Sequence, residues 1–324
     1  MTKLLKKTII SITLAASWIL ACSHVVAAIK SEPAKITVYV TVDWEGVSLD
    51  NDNLETIQDF RKKYPHIAML QLITPSYWVR PDVDKAATTA QIKSTFLPID
   101  KVGLHLHGWK SLLNYCQVPY QDAPSFADQG ETCDVGDCGY SVSLENAYSE
   151  ADLSKLVACS SAILVNEGFA KPSHFRAGGW QLGAKLRAAL QANGFTWDSS
   201  QIDANLLTTS WHEQSGIIKM LRELHPDATP LDQPYYLDQP YYLVQPYNLG
   251  QLHEHPNNAA LADYTSSKQI VEMFNALIYN NKYVMVLGFH QETATNYLGR
   301  LDAAIPKMEA AAKAANVELI WAKY

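Results

Sequence analysis

The chain has 324 residues, enough to bury a barrel-sized core in one domain or to divide into two. With 48% hydrophobic and 18% charged residues its composition is globular, which excludes a disordered chain. A formal net charge of −7, with no basic cluster to offset it, argues against nucleic acid as a partner.

The first 28 residues, MTKLLKKTIISITLAASWILACSHVVAA, place Lys3, Lys6 and Lys7 ahead of an apolar run that ends in small residues, the pattern of an export signal. Cleavage after Ala28 suits Val26-Ala27-Ala28. The run Ile19-Leu20-Ala21-Cys22 also resembles a lipobox, with processing before Cys22 and a lipid on that cysteine as the one route to membrane attachment. Ser23 and His24 interrupt the run, which argues against a permanent membrane helix. On either signal the protein is expected to be exported, periplasmic or secreted. Losing the signal removes three lysines and no acid, so the mature chain is more acidic still.

The segment ITVYVTVDW, from Ile36, reads as a strand ending at Asp43, followed by a helix with Leu54, Ile57 and Phe60 at helical spacing. HIAMLQLIT is a second strand, residues near 83–95 a helix, and KVGLHLHGW a third strand. A loop-rich insertion follows from Asn114 to about Glu145. In SEADLSKLVACSSAILVNEGF, Ser149 and Asp152 cap a helix that Gly168 ends. HFRAGGW leads into an amphipathic helix bearing Leu182, Leu186 and Leu190 and closed by Gly194, and FTWDSS follows.

A second insertion, about 229–252, holds the repeat LDQPYYLDQPYYLVQPYNLGQ, in which Pro234, Pro240 and Pro246 exclude a continuous helix. It reads as a duplicated surface loop, with a tyrosine-lined lid over a sugar site as the functional alternative. YVMVLGFHQE, a helix near 300–315 and VELIWA complete the chain. Alternating strands and helices imply a mainly parallel sheet with helices outside, either a closed barrel or an open doubly wound sheet. No Gly-x-Gly-x-x-Gly follows the first strand, which lowers the dinucleotide-binding reading.

Beyond Cys22 lie Cys116, Cys133, Cys138 and Cys159, an even number that predicts two disulfides in an exported chain and leaves three pairings open. The absence of a Cys-x-x-Cys argues against a redox or zinc role for them.

Polar residues that are hard to place in a core collect at the ends of strand-like runs: Asp43 and Glu45, His105 and His107, Arg176, Asp198 and His290. Residues i and i+2 of a strand share a face, so His105 and His107 point the same way. Each group taken alone has a structural explanation as a cap, an ion pair or a satisfied histidine. Their convergence on the carboxyl ends of parallel strands marks a site.

These motifs resemble, in kind and order, the polysaccharide deacetylase family, the NodB-homology carbohydrate esterases. TVDWEG is similar to the family's first motif, GLHLHGW to its metal-binding histidine motif, FRAGGW to its arginine motif, WDSS to its fourth motif and LGFHQE to its last histidine motif. The resemblance implies a distorted (β/α) barrel with fewer than eight regular strands, mainly parallel with outer helices, over residues 29–324. It also implies a divalent metal, usually zinc, and hydrolysis of N- or O-acetyl groups on an acetylated glycan.

By the same resemblance Asp43 is the base, His105 and His107 are metal ligands, and His290 is the acid. Arg176 orients Asp43, and Asp198 holds the tautomer of His290. The family's paired aspartates are here Asp43-Trp44-Glu45. Either Glu45 is the carboxylate ligand, or Asp43 is and the base lies elsewhere. His253 and His255 form a second His-x-His and stand as reserve ligands or rim residues, while Trp44, Trp109 and Trp180 flank the motifs as candidates to stack on sugar rings. The altered first motif motivates the alternative of a glycan-binding surface protein without turnover. A glycosidase using Asp43 and Glu45 is excluded, because neighbours on one strand end cannot face each other across a sugar.

Overall fold

β-Branched and aromatic residues alternating along the first strand, β1 (Ala34–Trp44), send Ile36, Val38, Val40, Val42 and Trp44 to one face and Thr37, Tyr39, Thr41 and Asp43 to the other. The computed structural model describes residues 34–130, 133, 134, 136–237 and 252–324. The expected export signal, its alternative at Cys22 and most of the tyrosine repeat lie outside these. Among the described residues no helix is long and apolar enough to cross a membrane.

The strands after β1 are β2 (Met69–Ile73), β3 (Lys101–Leu106), β4 (Cys133–Asp134), β5 (Asp137–Cys138), β6 (His174–Ala177), β7 (Trp197–Asp198), β8 (Tyr235–Tyr236), β9 (His253–Glu254), β10 (Val284–His290) and β11 (Val317–Trp321). The main sheet runs β10-β1-β2-β3-β6-β7-β9-β8, with β11 added to β1. Every pairing in it is parallel except β8 with β9. The predicted architecture, mainly parallel strands with outer helices, is what the chain adopts.

The sheet curls, because Tyr39 on β1 meets Trp197 on β7 at 6.3 Å between ring centroids although β2, β3 and β6 lie between them. His255 and Tyr324 join that inner cluster, at 5.2 and 5.7 Å from the Tyr39 ring. No ladder joins β9 to β10 among the described residues. An irregular segment after β9 bridges the gap: the Ala259 and Ala262 N–H groups donate to the Val286 and Gly288 carbonyls (3.1 and 2.8 Å), and Asn258 Oδ1 accepts from the Val286 N–H (2.9 Å). The barrel is therefore distorted and closed by loop backbone.

Helices cover the outer face. The Asn51–Lys63 helix starts where the Asp50 carboxylate accepts from the Asp52 and Asn53 N–H groups, and it buries Leu54, Ile57 and Phe60 against the outward side chains of β1. The predicted helix near 300–315 spans Ala294–Ala314 and adds Leu301, Ile305 and Met308 to the same core. The first predicted insertion holds the β4–β5 hairpin. Cys133 and Cys138 pair across the β4–β5 hairpin as one disulfide, and Cys116–Cys159 ties the start of the insertion to the Glu150–Asn166 helix as the other.

Candidate metal centre

Parallel register sets Asp43 beside His290 and His105 beside Arg176 at the carboxyl ends of their strands. Period two then continues past the ladder, carrying Glu45 to the Asp43 face and His107 to the His105 face. The chain turns immediately after Glu45 at Gly46, whose φ of +82° and whose closeness to Ser76 (2.1 Å from an added Cβ to Oγ) leave no room for a side chain. Glu45 is held by its backbone, its N–H donating to Glu292 Oε1 (3.1 Å) and its carbonyl accepting from Trp109 Nε1 (2.8 Å). Gly178 of FRAGGW makes space in another way, since a Cβ there would lie 2.6 Å from the His107 ring.

The two imidazoles are oriented by backbone. His105 Nδ1 pairs with the Arg176 carbonyl at 2.9 Å and His107 Nδ1 with the Tyr140 carbonyl at 2.7 Å, so each Nδ1 carries the proton. The neutral tautomers then aim both Nε2 lone pairs at the Glu45 carboxylate: His105 Nε2 lies 3.4 Å from Oε1, and His107 Nε2 is in close contact with Oε2. Lone pairs facing a carboxylate repel unless a cation lies among them. All three residues are buried, and Glu45 Oε2, His105 Nε2 and His107 Nε2 have no hydrogen-bond partner. The donor set therefore fits a divalent metal: two imidazoles and a carboxylate within 4.8 Å of one another, each imidazole supported at its other nitrogen by a carbonyl. Burial alone would raise the Glu45 carboxyl, but positive charge gathered around it holds it well below the usual carboxylate range.

Asp43, Glu45 and His290 form a second group within the same reach. Here, however, both ring nitrogens have partners, His290 Nε2 on Glu45 Oε1 at 2.9 Å and Nδ1 on Asp263 Oδ1 at 3.1 Å. Burial disfavours charge on His290, yet Asp263, Tyr264 and Glu45 raise it well above the ordinary histidine value. Asp43 accepts from Arg176 Nη1 at both oxygens (2.9 and 3.1 Å), and Arg176 is fixed in turn by the Thr41 hydroxyl, the Ser199 carbonyl and the Ser199 hydroxyl, each at 2.8 Å.

Two expectations need correction. The tautomer of His290 is held by Asp263, not Asp198. Trp197 turns into the barrel, so the next residue along β7 points to the opposite face. There Asp198 accepts from the Ser200 N–H and hydroxyl (2.9 and 2.8 Å) beside Glu254, whose carboxyl is pushed well up by burial and by the Asp198 charge. The three tryptophans are also unavailable to a sugar. Trp44, Trp109 and Trp180 are buried, and their indole N–H groups donate to Gln71, the Glu45 carbonyl and Asn257. The reserve pair His253 and His255 lies away from this centre, stacked with Tyr236 and Trp197, and His255 Nε2 meets His253 Nδ1 at 3.1 Å.

The centre opens into a cleft of about 400 Å³ whose walls include Glu45, Tyr140, Trp211, Asp263, Tyr264, His290, Glu292 and Tyr297. Six of these were not singled out from the sequence as site residues: Tyr140, Trp211, Asp263, Tyr264, Glu292 and Tyr297. Tyr140 comes from the cysteine-bearing insertion and stacks on His107 with ring centroids 4.3 Å apart and planes 9° from parallel. Burial, then the charge of Glu45, push the Glu292 carboxyl up to about 7.

No protein-family model matches the sequence, and no curated protein matches it. Solved structures do. A Mycobacterium smegmatis protein assigned as a polysaccharide deacetylase shares 12% identity over 90% of this chain and 88% of its own, with a TM-score of 0.48. A family 4 carbohydrate esterase from Streptomyces lividans in complex with acetate shares 9% over 89% and 91%, with a TM-score of 0.41. A CE4 family pseudoenzyme from Bacillus anthracis shares 9% over 89% of this chain and 64% of its own, with a TM-score of 0.39. At these identities and scores the likeness bears on nothing beyond the fold.

Proposed function

We propose that the chain is an exported, metal-dependent hydrolase that removes acetyl groups, as amide or ester, from a glycan. The observation that carries the reading is the set of three buried, unpartnered donor atoms on Glu45, His105 and His107 at the mouth of an aromatic-lined cleft. A divalent ion on them, zinc by the nature of the donor set, would polarise an acyl carbonyl and lower the pKa of a water.

The chain's own residues account for the rest. Asp43, fixed by Arg176, takes a proton from the attacking water. His290, charged and held by Asp263, donates one to the departing amine or alcohol. Tyr264, Tyr297 and Trp211 offer apolar faces with polar edges to a sugar in place of the buried tryptophans. Two disulfides support an oxidising compartment, and with it export.

Acetate release from a panel of N- and O-acetylated oligosaccharides, by metal-loaded and by chelator-treated protein, tests the reading. Release that stops with chelation and returns with metal supports it. Glycan binding without release under any metal would replace it with the non-catalytic alternative.

A further inference from the structure

Glu292 lines the cleft next to the metal centre, and its two oxygens have different surroundings. Oε1 is saturated: it accepts from the Glu45 N–H (3.1 Å), the Val47 N–H (3.3 Å) and the Tyr77 hydroxyl. Oε2 is buried and has no hydrogen-bond partner. A buried carboxylate oxygen left without a donor costs roughly 1–3 kcal/mol or more, so a persistent one implies a partner that arrives from outside. The cleft wall also contains the carboxylates of Glu45 and Asp263, and among the described residues lining it there is no lysine or arginine.

We propose that Glu292 is a substrate-contact residue: its Oε2 accepts a hydroxyl or amino hydrogen of the sugar held in the cleft. This rests on the reading of the cleft as a glycan site. Oε1 anchors the carboxylate to the backbone on both sides of Gly46, so Oε2 is presented rigidly, the preorganisation a specific contact needs.

The variant Glu292→Gln separates the two oxygens. The three donors on Oε1 force the amide oxygen to stay with them, so the structural role is retained while the amide nitrogen replaces Oε2. Calorimetric binding and steady-state kinetics would be run on a neutral N-acetylated chitooligosaccharide and an O-acetylated oligouronate, with wild type and Glu292→Gln in parallel. Loss of the bond to Oε2 predicts a 10- to 100-fold rise in Kd and KM for the neutral oligosaccharide with little change in kcat. Glu292→Gln with wild-type Kd and KM on both ligands would overturn the proposal and leave only a structural role. A wild type that releases no acetate from any glycan yet binds the neutral one, with the same Glu292→Gln loss, would overturn the hydrolase reading and keep this one.

Discussion

Replacing Asp263 with asparagine keeps the side chain's size and an acceptor oxygen while removing the charge 3.1 Å from His290 Nδ1. At that separation, with an effective dielectric constant of about 20, two unit charges attract by about 5 kcal/mol. The asparagine carbonyl and the Glu45 carboxylate, 2.9 Å away on the other side of the ring, retain part of this. The imidazolium should therefore lose about 1–3 pH units of stabilisation, or about 1.4–4 kcal/mol. The sign is downward, because Asp263 is the first of the groups that raise His290 against its burial. In kcat against pH, the basic limb of Asp263→Asn should move to lower pH by that amount, and above it the rate should fall by about 10²–10⁴, the share of a general acid. An aryl acetate, whose leaving group needs no proton, should lose much less. Because Asp263 also accepts from the His290 N–H (3.1 Å) and the Thr293 hydroxyl, thermal melts would establish that the variant is folded. Asp198→Asn, on the opposite face of its strand, should leave the limb in place. A folded Asp263→Asn enzyme with the wild-type profile on both substrates would refute the assignment of His290 as the acid.

Burial pushes His174 down to about 4, with Lys101 adding to the effect, and His255 down to about 2, with His253 and His174 adding. Folded values below the unfolded value of about 6.5 mean stability that is present above that pH and is lost as pH falls toward the folded values, at about 1.4 kcal/mol per unit and histidine. Urea midpoints between pH 7 and 5 should thus fall less steeply for His255→Gln than for wild type, and equal slopes would contradict the burial argument. Trp211→Ala should weaken glycan binding by about 3- to 10-fold. Trp109→Phe and Trp180→Phe should lower the melting temperature and leave KM unchanged, and a KM effect from either would reinstate them as sugar contacts. Peptide mapping without reduction should find Cys116 linked to Cys159 and Cys133 to Cys138; any other pairing, or four alkylatable thiols, contradicts the structure.

Period-two alternation made much of the centre legible in the sequence. It put His105 with His107, and Asp43 with Glu45, on shared faces, and their burial and convergence follow from that. The same rule, applied to FTWDSS, would have turned Asp198 away once Trp197 was placed inside, but which of the two faced inward depended on the curl of the sheet. Asp263 carried no signal. It sits in the irregular segment that closes the barrel, where no periodicity exists and backbone bonds to β10 fix the register. Tyr140 was hidden for a related reason, since only the fold of a cysteine-bearing loop brings it over His107. Glu292 was visible two residues after His290 in LGFHQE, yet its role depends on the donors of Glu45, Val47 and Tyr77, which come from distant parts of the chain. The tryptophans misled because adjacency to a motif in sequence places a residue on the opposite face of a strand, as with Trp44, or turns its ring into the core against the backbone of another motif, as with Trp109 on the Glu45 carbonyl.

The most direct measurement is metal stoichiometry by mass spectrometry on purified wild type, Glu45→Ala and the His105→Ala/His107→Ala double variant, each shown by circular dichroism to be folded. Glu45→Ala leaves the backbone bonds of residue 45 to Glu292 and Trp109 in place, so the fold should survive the loss of the carboxylate. The arrangement predicts one divalent ion per wild-type chain and none in either variant, with His290→Ala retaining its metal. Full occupancy in the double variant, or loss of metal from His290→Ala alone, would contradict the assignment of Glu45, His105 and His107 as the ligands.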